Sequence, residues 1–328
     1  MNKAAVKTNP PEMTKILEFI TSLEEAVQLA CLSELVALKP GNVNRYSDHE
    51  DTTIFDFILS SVKLIHPIRS WIEKILRNNA GIGLGSAILN TVNYQRQTGT
   101  ERNTNLGIIL VLYPLITSIV LMNKETAIEK VFNTGKYNQM LSGKIISLLE
   151  SNGPDQAYQT VQAINMANPS GLGDSDQFDV KDEKIEKELS SSGTNLRMLF
   201  SKSSNRDLVC REYETGFTFI LERVLPELEV HIAKQGLIHG IEITFLMMLS
   251  WEPDTHVIRR HGHQKALEVQ TRATTILNAG NSSKETLVNL DRELKSRKIN
   301  PGTMADLLVG GLFLFFLKKS IKGELIVF

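Results

Sequence analysis

Polar side chains that could do chemistry concentrate near the predicted helix ends of this 328-residue chain instead of spreading over helix faces. They are carboxylates, cations, imidazoles and carboxamides, which bind phosphate or metal ions and move protons. They form five clusters, at residues 39–52, 103–105, 171–179, 252–263 and 300–306. Because these clusters lie far apart in the chain, they can act together only if the fold brings them to one place.

The first cluster combines cations, carboxylates and loop amides between two long predicted helices. Lys39-Pro40-Gly41-Asn42 is followed by Arg45 and by an acidic run that ends at Asp51-Thr52. This composition is typical of a site for a metal ion and phosphate groups. A solvated loop in which Asp51 or Thr52 caps the next helix explains the same residues.

The third cluster carries the densest negative charge, with Asp174, Asp176 and Asp179 close together. Such a loop attracts Mg²⁺, although it is not an EF-hand, because Asp179 stands where an EF-hand loop requires glycine. An acidic, solvated loop is the alternative. The second cluster, Asn103-Thr104-Asn105, immediately precedes the most apolar predicted helix, where N-capping explains one of its side chains.

The fourth and fifth clusters each begin a predicted helix. Asp254 can cap a helix whose next turns carry Arg259-Arg260. Asn300 and Thr303 lead into a helix with Asp306 in its first turn, where a carboxylate also favours the helix dipole. Zinc is disfavoured, since neither a His-Glu-x-x-His motif nor a nearby cysteine accompanies the histidines of the fourth cluster, His256, His261 and His263.

Helical periodicity dominates the elements that must position these clusters. Apolar residues recur every three to four positions from Ile16 to Val36, and Pro40 disfavours further helix. Alternation typical of strands is missing from the sequence. We predict an all-α protein with a single multi-helix globular domain over residues 12–328, a disordered tail at 1–11 and a loop-rich insert near 168–205. Two of its helices are predicted to run unbroken over Cys210–Lys234 and Thr255–Leu277.

One segment, Leu106 to Met122, is apolar enough to suggest a membrane span. It is uncharged but shorter than the roughly 20 residues that a span needs, and Pro114 interrupts it. We therefore predict a buried core helix, with a membrane span as the alternative.

Composition narrows the function class. With 36 Lys+Arg against 37 Asp+Glu, the net charge of −1 argues against a general nucleic-acid binder. Hydrophobic residues at 42% and charged residues at 22% indicate a folded, soluble protein. Two cysteines, without a CxxC motif or an apolar leader, predict a cytoplasmic protein. The oligomeric state stays open, a homo-oligomer included.

Five motifs in matching order resemble the triphosphoribosyl-dephospho-CoA synthase family. They are Lys39-Pro40-Gly41-Asn42, the segment Asp51-Thr52 to Ser60, Asn103 to Gly107, Asp254-Thr255 with Arg259-Arg260 and Gly262, and Asn300 to Leu307. The resemblance implies an all-helical enzyme that uses ATP and Mg²⁺. Such enzymes transfer a triphosphoribosyl group to the 2′-hydroxyl of 3′-dephospho-CoA, release adenine and so make a prosthetic-group precursor. Asn105-Leu106 replaces a His-Lys pair found in the citrate-lyase branch, which indicates a divergent branch.

The residues suit that chemistry. Displacing adenine needs a base and cations that hold the triphosphate. The predicted catalytic residues are Asp51, Asp174 and Asp254. The predicted metal ligands are Asp51, Asp174, Asp176 and Asp254. The predicted substrate and phosphate contacts are Lys39, Asn42, Arg45, Asn103, Thr104, Asn105, Arg259, Arg260, Asn300 and Thr303.

Two other interpretations stay open at this point. One is a nucleotide-dependent phosphoribosyl-type transferase with a different cofactor or metabolite as acceptor, and the other is a non-catalytic helical scaffold. Convergence of the clusters in the fold favours ligand binding or catalysis. If Asp254 only caps, Asp254→Asn is predicted to preserve stability, since Asn caps about as well as Asp.

Overall fold

The computed structural model describes residues 10–48, 52–77, 81–98, 105–168 and 184–324. In these ranges the chain forms sixteen α-helices and no strand, which confirms the all-α class; one isolated bridge joins Asn44 and Ser47. The predicted tail lies outside the described residues except for Pro10 and Pro11, which begin the first helix.

The helices follow one another with short connections. The first seven are α1 (Pro10–Val36), α2 (Ile54–Arg77), α3 (Leu84–Gln97), α4 (Leu106–Glu125), α5 (Ile128–Phe132), α6 (Tyr137–Ser151) and α7 (Pro154–Ala167). Then come α8 (Ile185–Ser192), α9 (Leu196–Ser201), α10 (Leu208–Thr215) and α11 (Leu225–Gln235), the last preceded by a π-helical turn, Ile220–Val224. The remainder are α12 (Leu237–Trp251), α13 (Thr255–His261), α14 (His263–Asn278), α15 (Lys284–Ser296) and α16 (Gly302–Ile321).

The two most buried helices, α4 and α16, pack against each other at the centre of the fold. Helix α1 lies along α16, and α2 packs against both α1 and α4. Within the described residues α4 is the one helix long and apolar enough to cross a membrane, and 83% of its most apolar window is buried inside the protein. Its Thr117 hydroxyl accepts a 2.9 Å hydrogen bond from the Trp71 indole. The predicted core helix is therefore confirmed.

The insert predicted to be rich in loops is partly helical. Helices α8 and α9 lie within it, because Leu189, Leu196 and Phe200 are buried in the core. Asn195 caps α9 by accepting a hydrogen bond from the Met198 amide at 2.9 Å. Residues 169–183 of the insert lie outside the described ranges.

Two helices predicted to be continuous are interrupted. Gly216 and Phe217 both have positive φ, at 74° and 66°, and separate α10 from the helix that contains the π-helical turn. Gly262 has a φ of 82° and separates α13 from α14. Positive φ is incompatible with a right-handed helix, so each glycine changes the direction of the chain.

Glu212 holds the first of these turns in place. Its buried carboxylate accepts 3.0 Å hydrogen bonds from the amides of Phe219 and Ile220, at the start of the next helix. Burial raises its pKa from 4.5 to about 7, although the two amides favour the charged form.

This pKa predicts a pH-dependent stability. Between pH 4.5 and about 7 the folded protein keeps a proton on Glu212 that the unfolded chain has lost, so this contribution to stability falls as pH rises. Relative to Glu212→Gln, wild type should lose about 3 kcal/mol of unfolding free energy between pH 5 and pH 8. Denaturation of both proteins across this range checks the difference, in which other titrating groups cancel. Parallel curves would contradict the assignment.

Gly85 permits the close approach of α3 and α7. A Cβ at this position would lie 2.0 Å from the backbone oxygen of Gln156. We expect Gly85→Ala to destabilise the protein by about 1–3 kcal/mol, because the backbone of α7 must move. Gly143 is the matched control, since it is exposed on α6 and a Cβ there meets no atom within 4 Å. Gly143→Ala should be neutral or stabilise by up to about 1 kcal/mol. Equal melting temperatures of the two variants would contradict this packing.

Candidate active site

The start of α16 is the meeting point of the polar clusters that the structure describes. The Thr255 hydroxyl donates to the Thr303 hydroxyl at 3.2 Å. Asn42 Nδ2 lies 3.5 Å from the Pro301 carbonyl oxygen, which joins the first cluster to the fifth. Asp306 reaches the first turn of α4, next to the second cluster. Segments far apart in sequence therefore converge at one place. The third cluster lies outside the described residues.

Asp254 connects two helix starts. Its Oδ1 accepts a 2.9 Å hydrogen bond from the Val257 amide and so caps α13, while its Oδ2 accepts a 2.8 Å bond from the Met304 amide in α16. Burial raises the pKa of Asp254 to about 6, and the amides of Met304 and Val257 oppose this rise. The predicted capping role is confirmed.

The double contact changes one expectation. Asn has a single acceptor oxygen, so Asp254→Asn can satisfy only one of the two buried amides. The prediction that this variant preserves stability must therefore be revised to a loss of about 1–3 kcal/mol, the cost of an unsatisfied buried group. A catalytic or metal-binding role for Asp254 stays a prediction.

Lys39 lies inside the protein. Its side chain is 0% exposed, and its ammonium forms a 3.0 Å ion pair with Glu34 and donates to the Glu34 and Val43 carbonyl oxygens at 2.6 and 3.2 Å. Burial raises the pKa of Glu34, and the Lys39 charge counteracts that rise. To contact a phosphate, as the sequence predicted, Lys39 would have to give up these partners. The geometry instead favours a role in holding the loop that follows α1.

Asp291 anchors the same loop and was missed in the sequence. It accepts hydrogen bonds from the Gly41 amide at 2.9 Å and from the Asn44 side chain at 3.4 Å, and it forms a 3.2 Å ion pair with Lys295. No local motif marks it, because an acidic residue on a helix is ordinary.

The predicted phosphate-binding cations differ in accessibility. Arg259 forms an ion pair with Asp207, yet 30% of its side chain remains exposed. Arg260 is exposed and has no ion pair with the described residues. Arg45 is exposed too, and it lies 4.7 Å from the centroid of the Tyr46 ring. These three guanidinium groups can approach an anionic ligand from the solvent side.

Three buried polar atoms near the start of α16 have no hydrogen-bond partner. They are Asn105 Oδ1, His256 Nε2 and Asn300 Oδ1. His256 Nδ1 lies 2.9 Å from the position that a Cβ of Gly302 would take. Burial and the neighbouring Arg259, Arg260 and His261 lower the pKa of His256 to about 4, so its ring is neutral at pH 7. Orphaned polar groups are costly and mark places where a ligand can bind.

Asp306 is a further acidic group that was not among the predicted site residues. It is partly exposed, and its pKa lies well above the usual range because of burial and of the nearby carboxylates of Glu34 and Asp254. Its closeness to α4 depends on tertiary packing and has no local signal in the sequence.

Several predicted site residues lie outside the described ranges. They are Asp51, Asn103, Thr104, Asp174 and Asp176. Their roles remain predictions.

Comparison with known proteins yields consistent similarities. A family model described as ATP:dephospho-CoA triphosphoribosyl transferase matches residues 20–324. The 2-(5''-triphosphoribosyl)-3'-dephosphocoenzyme-A synthase of Pectobacterium atrosepticum is 33% identical over 99 residues, which are 30% of this chain and 32% of that protein. The synthase of the same name from Escherichia fergusonii is 30% identical over 151 residues, 43% of this chain and 48% of that protein. The chain therefore spans less than half of the length of these relatives.

A solved structure shares the fold. It is the crystal structure of a protein from Archaeoglobus fulgidus assigned as a triphosphoribosyl-dephospho-CoA synthase. It aligns with a TM-score of 0.58 and 20% identity, over 78% of this chain and 96% of that chain.

Proposed function

The chain belongs to the ATP:dephospho-CoA triphosphoribosyl transferase family, and from this premise we propose that it transfers the triphosphoribosyl group of ATP to the 2′-hydroxyl of 3′-dephospho-CoA with release of adenine. The observation that supports the proposal most strongly is the convergence of family motifs on the start of α16. A scaffold without a ligand has no need for three orphaned polar atoms at this place.

In the proposed reaction the acceptor's hydroxyl oxygen bonds to C1′ of the ATP ribose as the bond from C1′ to adenine breaks. Adenine leaves with that electron pair and takes up a proton, while the hydroxyl group loses its own. Arg45, Arg259 and Arg260 are our candidates for the triphosphate, because their guanidinium groups are accessible from solvent. Asn42, Asn300 and Thr303 border the same place and complete the proposed substrate contacts.

Asp254 is the described carboxylate that we assign to the chemistry. A pKa of about 6 suits a base that works near neutral pH. Each of its oxygens keeps a lone pair beyond the one that accepts the backbone amide.

Mg²⁺ fits the oxygen groups present. Within the described residues no group of three or more His, Cys, Asp or Glu side chains is placed to hold a metal ion. Nucleotide-bound Mg²⁺ needs only one or two protein carboxylates, because phosphate oxygens and water complete its shell. Asp254, together with Asp51, Asp174 and Asp176 of the sequence prediction, could supply them. Bound Mg²⁺ would neutralise negative charge on the triphosphate.

The same transfer to a different acceptor is the second candidate. It is favoured by the Asn105-Leu106 pair, which puts a neutral carboxamide and a buried apolar side chain before the main turn of α4. In either case we propose a cytoplasmic enzyme that acts on small molecules.

Chromatography for free adenine tests the proposal. Purified protein with ATP and Mg²⁺ should release adenine when dephospho-CoA is added, and not without an acceptor. Adenine release with a small-molecule cell extract but not with dephospho-CoA would support the second candidate. No adenine in any mixture, together with no ATP binding in calorimetry, would contradict both enzymes and favour the scaffold.

A further inference from the structure

Asn105 occupies the N-cap position of α4 without capping it. Its side chain makes no hydrogen bond to the first-turn amides; instead its Nδ2 donates to the Ser60 hydroxyl at 2.7 Å. Its Oδ1 has no partner, although the residue is only 2% exposed. Asn usually caps through this oxygen, and an unsatisfied buried acceptor costs about 1–3 kcal/mol. A bound donor group would remove that cost.

A second acceptor lies at the same turn. A Cβ on Gly107 would lie 2.0 Å from Asp306 Oδ2, so the carboxylate rests directly against the first turn of α4. No hydrogen bond joins this carboxylate to the described part of the chain, and Asp306 is partly open to solvent. The first turn of α4 is thus bordered by two acceptor groups, the Asn105 oxygen and the Asp306 carboxylate.

The charge around this turn selects the kind of ligand. Glu34 and Asp254 both lie close enough to Asp306 to raise its pKa. The ammonium of Lys39 is engaged by Glu34, and Leu106 offers no charge. A phosphate would meet carboxylate repulsion here. A neutral donor such as a hydroxyl group would satisfy the Asn105 oxygen without that penalty.

We propose that Asn105 Oδ1 and the Asp306 carboxylate form a subsite for the reacting hydroxyl group of the acceptor. This inference rests on the proposed function and extends it, because it assigns the acceptor to the start of α4 and the triphosphate to the arginines of α13. The hydroxyl group donates one hydrogen bond, and exchange between the two acceptors keeps its oxygen at the turn.

Calorimetry with a pair of acceptors tests the subsite without turnover. The probes are dephospho-CoA and its 2′-deoxy analogue, which lacks only the 2′-hydroxyl. Wild type should bind dephospho-CoA at least about 10-fold more tightly, because a site that bonds a hydroxyl rejects the analogue without it. Asn105→Leu should lose this discrimination. Equal binding of the two probes by wild type, or binding of neither, would overturn the subsite.

Three further readouts separate this role from others. Asn105→Leu should keep or raise the melting temperature, since it removes an orphaned acceptor and Ser60 keeps a 3.1 Å bond to the Phe57 carbonyl. Its affinity for ATP with Mg²⁺ should be unchanged, and a 10-fold loss would assign the turn to the nucleotide and overturn the inference. Asp306→Asn, which keeps one acceptor oxygen, should retain part of the discrimination. Discrimination without adenine release would disprove the proposed function and leave the subsite standing, whereas adenine release without discrimination would do the reverse.

Discussion

Replacing Lys39 with methionine is expected to lower the unfolding free energy by about 3–5 kcal/mol, because it leaves the buried Glu34 carboxylate without its ion pair. The Glu34 and Val43 carbonyl oxygens also lose their ammonium donor. Chemical denaturation measures the change. The affinity of the folded variant for ATP should stay within a few-fold of wild type, since Lys39 faces the protein and not the solvent.

The control is the double variant Lys39→Met/Glu34→Gln, which removes the unpaired carboxylate and should recover a large part of the lost stability. The alternative outcome is equally clear. If Lys39→Met melts like wild type but binds ATP at least 10-fold more weakly, Lys39 contacts phosphate, and its enclosure by Glu34 is not its working state.

Asp254→Asn is expected to reduce adenine release by roughly 10²-fold, the scale of a lost general base. A neutral carboxamide can neither accept the proton nor replace an anionic metal ligand. The same variant should lose about 1–3 kcal/mol of stability, because only one of the Val257 and Met304 amides keeps its acceptor. Turnover is measured at saturating Mg²⁺ and below the melting transition of the variant.

Ser283→Ala separates the two effects. Ser283 caps α15 by accepting a hydrogen bond from the Thr286 amide, far from α16 in the chain, and its loss should cost about 1 kcal/mol. Its turnover should match wild type. Wild-type turnover in Asp254→Asn would reduce Asp254 to a link between two helices.

The helical framework could be predicted because it follows from local rules. Apolar spacing and Pro40 locate α1 and its end, and the uniform apolarity of Leu106 to Met122 indicates a central helix. Even the two missed interruptions have local signals, since Gly216 and Gly262 adopt positive φ. The helices of the predicted insert were missed because their short apolar faces, with Leu189 and Leu196, are stable only against the core.

The site was only partly predictable, because each polar residue's role depends on a distant partner. Nothing local to Lys39 shows that its ammonium turns back toward Glu34. Asp254 looks like a helix cap in the sequence, and its second contact, to Met304, exists only once α13 and α16 meet. Asp306 looks like a first-turn acid of its own helix, whereas in the fold it borders the start of α4.

The most direct test of the central claim is the mass of the acceptor after reaction. Purified wild-type protein is incubated with ATP, Mg²⁺ and dephospho-CoA, and the products are separated and weighed by mass spectrometry. The proposed function predicts equimolar adenine and a triphosphoribosyl adduct of dephospho-CoA, with neither product formed when the acceptor lacks its 2′-hydroxyl. ATP consumed to ADP or AMP with intact dephospho-CoA, or no change in either substrate, would contradict it.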